Sequence, residues 1–145
     1  MHPILVACLA LCLTAPAHAW QAGQDGAICT LDHSEASGDI RLTYDPAGPL
    51  YTITVTRAEP WPVADLFGIA FLGGEENTIT TERHSNSADG RAISVADRGF
   101  GNVLRGLAAN TAATVFAGTE TLSVSLAGAA PEVAAFEACG TRPSV

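Results

Sequence analysis

The sequence predicts an all-β domain, a sandwich or small barrel of about eight short antiparallel strands with two short helices, the second at the C-terminus. Three observations predict it. Apolar residues alternate with polar ones in run after run, the period of two that turns one face of a strand to a core and the other to water. Turn-forming residues separate these runs at spacings of roughly eight to twelve residues. Two cysteines, Cys29 and Cys139, lie near opposite ends of the chain, where a single bond would close the assembly.

The first nineteen residues carry no acidic or basic side chain, run apolar from Ile4 to Leu13, and end in Ala17-His18-Ala19, the small-x-small pattern of a signal peptidase site. They read as a secretory leader, with residues 20–145 as a single domain that starts at Trp20. The apolar run is too short to span a bilayer as a mature helix, so no transmembrane span is expected in the processed chain. Cysteines 8 and 12 and histidines 2 and 18 leave with the leader, and the remaining pair, Cys29 and Cys139, reads as one disulfide in an exported protein.

Cys29 to His33 is a short first strand, and Ser34 to Gly38 turns the chain. Ile40, Leu42 and Tyr44 alternate with Arg41 and Thr43; beyond the Asp45-Pro46-Ala47-Gly48-Pro49 turn, Tyr51, Ile53 and Val55 alternate with threonines. Residues 40–57 thus form a hairpin with one apolar and one threonine-lined face. Ala58 to Asp65 breaks the pattern around Pro60-Trp61-Pro62. Phe67, Ile69 and Phe71 resume it, Gly73 to Asn77 turns, Thr78 to Arg83 returns, and Ser85 to Gly90 turns again before a strand marked by Ile93 and Val95. The Gly99-Phe100-Gly101 run suits a bend that drives Phe100 inward.

Asn102 is the expected N-cap of a short helix with Val103, Leu104 and Leu107 on one face, closed by Asn110 in a left-handed conformation. Ala112 to Phe116 is the next strand, and Leu122, Val124 and Leu126 line one face of the last. After Gly128, Pro131 takes the first position of the terminal helix and Glu132 its first turn, where the helix dipole favours a carboxylate. Val133, Phe136 and Cys139 form its inward stripe, and Gly140 is the expected stop.

A formal net charge of −8 repels phosphate backbones and anionic lipid heads, so nucleic acid is not an expected partner. All seven basic residues are arginine, which removes the Walker phosphate loop and Schiff-base chemistry, both of which need lysine. No motif asks for a cofactor or a metal. Outside the leader His33 and His84 are the imidazoles, with nothing in their spacing that makes them converge; surface residues at strand ends are the expectation. Neither a Gly-x-Ser-x-Gly elbow nor any other catalytic signature is present, so no catalytic residue is assigned. Two features suit a binding surface: Trp61, a rigid aromatic between prolines, and the bend carrying Arg98, Phe100 and Asn102. The same letters also suit a loop packed over an open sandwich end and a bend that plugs the core.

The leader, Trp20, Cys29 in the first strand and the ending Ser125-Leu126-Ala127-Gly128 through Phe136 to Cys139 resemble a set of small exported alphaproteobacterial proteins of unassigned function. The terminal strand, glycine and helix are similar to the invasion-associated locus B family. Some members of the first set carry the name of the ATP-dependent helicase component of the excinuclease ABC repair system, which does not suit a lysine-free acidic chain with an export leader. Together these features imply a periplasmic or secreted module that binds a protein or envelope component; the alternative is a small periplasmic enzyme or metal protein that uses His33 or His84.

Overall fold

The computed structural model describes residues 19–141. The expected leader, Ala19 excepted, lies outside the described residues, as does Arg142. Two antiparallel sheets face each other. The first has the order β1 (Gln21–Asp25), β2 (Ile28–Glu35), β3 (Gly38–Asp45), β4 (Leu50–Thr56), β8 (Ala92–Asp97) and β7 (Ser85–Asn86). The second has the order β10 (Glu120–Ser125), β9 (Ala112–Ala117), β5 (Phe67–Leu72) and β6 (Asn77–Thr81). Helix α1 (Gly101–Ala109) links β8 to β9, and α2 (Ala129–Thr141) follows β10 and packs on β1, β2 and α1.

Register explains the core. Leu31, Leu42, Ile53 and Val95 form one row across the first sheet, and Leu122, Val115, Ile69 and Ile79 one row across the second. Because side chains alternate faces at a period of two, each row lies on the face turned to the other sheet. The outer faces are held by side-chain pairs, such as the hydroxyls of Thr54 and Ser94 and those of Thr114 and Ser123.

The disulfide between Cys29 and Cys139 is present, with Cα atoms 6.0 Å apart, and ties β2 to α2. The hairpin over residues 40–57 is β3 and β4, and Phe100 is buried against Tyr51, 5.4 Å between ring centroids. Glu132 stands in the first turn of α2 and accepts a hydrogen bond from the Ala22 amide.

Several elements differ from the sequence expectation. Among the described residues there are ten strands, because Gln21–Asp25 pairs with β2 and Ser85–Asn86 pairs with β8. The first of these is exposed on all but Ala22, so it has no apolar alternation to betray it. Helix α1 starts earlier than expected: Phe100 is its N-cap, without a side-chain cap, and Asn102 is an exposed residue inside it. Burial of the Phe100 ring fixes the helix start and outweighs the capping preference of asparagine. Asn110 is extended, not left-handed; its Nδ2 donates to Gly106 O and Glu75 O and closes the helix through the side chain. Pro131 is the third residue of α2, still within the turn whose amides lack partners. Gly140 lies inside the helix, where a Cβ would come 2.9 Å from Tyr44 Cε1; close approach to that ring explains the glycine.

Candidate binding cleft

The two long sides of the sandwich are built differently. On one side, edge strand β10 is stapled to the first sheet. Trp20 Nε1 donates to Ser125 O, the Ser125 amide donates to Glu35 Oε2, and Ser37 Oγ donates to Ser123 O. On the other side β6 and β8 face each other with far less between them. β7 covers β8 at Ile93 and Ser94, and the register stops there. A cleft of about 420 Å³ lies on this side.

Its walls come from both sheets: Phe67, Ile69 and Ile79 from β5 and β6, and Ile53 and Val95 from β4 and β8. Burial fades along each row toward the opening. Ile69 and Ile53 are buried, whereas Ile79 and Val95, one strand further out, are half-buried. The inner end is closed by the Phe100 ring and Val103, and the bend through Gly99, Gly101 and Asn102 forms one lip. At the mouth Arg83, on the 82–84 crossover, reaches Asp97 at the end of β8, with Nη2 3.2 Å from Oδ2. Both partners are well exposed, Arg83 78% and Asp97 43%, so the pair contributes at most about 1 kcal/mol. The Asp97 Oδ1 accepts from the Arg98 amide at 2.7 Å, and the Arg98 side chain is exposed with no ion pair among the described residues.

The sequence-based surface candidates divide here. Both Arg98 and Asn102 are exposed; Asn102 lines the cleft, whereas Arg98 is not among its lining residues. Phe100 is 5% exposed and forms the cleft's inner wall, so it is not a free surface residue. Trp61 is 4% exposed and likewise not a surface contact. Its amide donates to Gly90 O, its Nε1 donates to Val55 O, and the Arg57 guanidinium covers its face at 4.4 Å. The proline-flanked loop is a lid over one end of the core, and its most exposed apolar residue is Val63, 96% exposed.

His33 is buried, not a surface residue: its ring stacks on Trp20 and Nε2 lies 2.8 Å from Glu35 Oε2. Its Nδ1 has no hydrogen-bond partner among the described residues. His84 is elsewhere, on the 82–84 crossover against Phe67. The structure does not bring the two together, and no three of His, Cys, Asp and Glu among the described residues form a metal-binding group.

Sequence reasoning missed Ile79, Val95, Arg83 and Asp97 as site residues. Ile79 and Val95 look like ordinary inward strand positions, and what sets them apart is that each belongs to an edge. That property depends on strand order, which the chain does not spell out locally. Compared with protein-family models, with curated proteins and with solved structures, the chain matches none of them.

Proposed function

We propose that the protein is an exported binding module, periplasmic or secreted, that holds a protein or envelope component at the cleft between β6 and β8. The observation that carries this reading is the one-sided sandwich. Its core is stapled by side chains along β10 and less covered along β6 and β8, where apolar side chains and Thr81 line the cleft and the Arg83–Asp97 pair stands at its edge. A concave apolar site with few polar groups at its edge is what a ligand pocket requires. Two features support export. The disulfide suits an oxidising compartment, and Trp20, the first residue after the expected leader, belongs to the core, so a cut after Ala19 leaves a start that the fold uses.

The test is hydrogen exchange on the protein mixed with a detergent-solubilised envelope fraction of its host. Protection of amides in β6 and β8 that disappears in Gly101→Trp supports the cleft, because a Cβ at Gly101 meets open space and a large side chain there fills the lip without backbone strain. Protection confined to other strands, or unchanged in that variant, overturns it. The mass of the recovered chain tests export independently: residues 20–145 with one disulfide are expected.

A further inference from the structure

Resting on the cleft reading above, we propose that β6 takes up an extended segment of a partner protein as a further antiparallel strand, and that the segment carries basic residues at both ends. The sheet edges are unequal. β1 lies beneath α2, whose Glu132 accepts from the Ala22 amide; β10 is stapled through Trp20, Glu35 and Ser37; and β7 is only Ser85 and Asn86. β6, Asn77-Thr78-Ile79-Thr80-Thr81, pairs with β5 on one side, and among the described residues nothing bonds to its backbone from the other. It also lacks the devices that keep an edge from pairing, having no proline, no charged side chain and no break in its register with β5. Every second residue of an edge strand turns its N–H and C=O outward, and an incoming extended backbone can use that ladder.

The side chains say what the segment looks like. Ile79 ends the apolar row of the second sheet and is half-buried, so an apolar residue opposite it on an added strand continues the row and covers what is left bare. Thr78 and Thr80 are exposed on the other face, where hydroxyl or β-branched partners suit them. Beyond the two ends stand Glu76 and Glu82, exposed and without an ion pair among the described residues, on a chain of net charge −8. A segment with arginine or lysine at each end meets both. The same carboxylates argue against a second copy of this chain as the occupant. Paired on itself about Ile79, β6 would set Glu76 of each copy opposite Glu82 of the other, and like charges directly opposite destabilise a strand pair.

The experiment titrates the protein, expressed from its full-length sequence, with a synthetic peptide of alternating valine and threonine that has arginine at each end and blocked termini. Fluorescence anisotropy reads affinity and hydrogen exchange reads place. Two isomers of the peptide carry N-methyl groups on one or the other alternate set of amides. An added strand pairs through one set and turns the other to water, so one isomer is expected to lose binding and the other to keep it. Protection is expected in β6 and not in β10. A peptide with glutamate in place of the arginines is expected to bind roughly ten-fold more weakly. The Glu76→Gln/Glu82→Gln double variant, both positions exposed, is expected to erase that difference.

Equal binding of the two methylated isomers, equal binding of the arginine and glutamate peptides, a preference that survives the double variant, or protection away from β6 overturns the inference. A dimer whose β6 amides are protected without peptide makes a second copy the occupant and overturns it as well. If the peptide does not bind but the envelope fraction still protects β6 and β8 in a manner sensitive to Gly101→Trp, strand addition fails and the cleft reading stands. If that protection is absent too, the cleft reading falls with it.

Discussion

The indole of Trp20 lies flat on the imidazole of His33, centroids 4.4 Å apart and planes within 5°, and both rings lead to the backbone of one residue, Ser125. The indole N–H ends on Ser125 O; the imidazole leads through Glu35 to the Ser125 amide. An edge strand is a liability when its outward donors and acceptors are bare. Here the first sheet supplies side chains for those of β10, which closes that side of the sandwich without another strand.

Trp20→Ala is therefore expected to cost about 3–5 kcal/mol, the usual range for emptying a buried aromatic site. Trp20→Phe, which keeps a ring on His33 and loses the bond to Ser125, is expected to cost about 1–2 kcal/mol. Urea unfolding followed by circular dichroism measures both, and equal losses would mean that the hydrogen bond dominates.

Trp61→Ala is expected to lower the melting temperature sharply, again by about 3–5 kcal/mol of stability, because Trp61 is a lid residue inside the core. Val63→Ala in the same loop, nearly fully exposed, should stay within about 0.5 kcal/mol of wild type. A variant at Trp61 with unchanged melting would refute the lid.

Two glycines in α1 should respond with opposite signs. A Cβ at Gly106 runs into the Phe71 ring, so Gly106→Ala is expected to cost about 1–3 kcal/mol by overpacking, despite the better helix propensity of alanine. Gly101→Ala, with open space, is expected to gain about 0.4–1 kcal/mol. Thermal unfolding of the two variants side by side reads the difference directly.

The hydrogen bond from Arg105 and then its charge hold the Glu75 carboxyl below the usual range; Asp89 is also lowered, chiefly by the Ser87 hydroxyl and then the Arg91 amide. A carboxyl whose folded value is depressed supports folding above its unfolded value and ceases to as pH falls through the folded one. Titration followed by carboxyl carbon chemical shifts should give both midpoints below the ordinary value of about 4. Arg105→Ala should return Glu75 toward it and leave Asp89 unchanged.

Loss of the disulfide in Cys29→Ala/Cys139→Ala is expected to cost up to about 4–5 kcal/mol, the chain-entropy figure for closing a loop of this length. The partners are 110 residues apart in sequence. Unfolding under reducing and oxidising conditions, compared with the double variant, checks it.

Legibility in the sequence followed how local the signal was. Ile40 to Val55 announces its hairpin because every second residue is apolar and the turn lies between, and the bend that buries Phe100 is readable from its flanking glycines. β1 was hidden because an edge strand packed beneath a helix on one residue, Ala22, shows no alternation. The caps of α1 and α2 were misplaced because Phe100 burial and the Tyr44 ring, both tertiary contacts, decide them. For the site, loop composition points to Asn102, which lines the cleft, and to Arg98, which does not, whereas Ile79, Val95, Arg83 and Asp97 become a site when β6 and β8 are placed opposite each other. That juxtaposition joins residues from separate hairpins, and no local pattern encodes it.

The position of the disulfide also sets an order of events. Strands β1 to β4 are neighbours in sequence and pair as a meander, so they can form as soon as they emerge, while the buried Cys29 is still a thiol. Its partner stands in the last helix, which packs on β1, β2 and α1 and so needs most of the chain before it has a seat. Oxidation is consequently a terminal event, a seal that records completed assembly. A molecule halted before α2 docks would carry two unpaired thiols, Cys29 on its second strand and Cys139 on the undocked helix, a mark by which thiol-reactive quality control could tell it from a finished one.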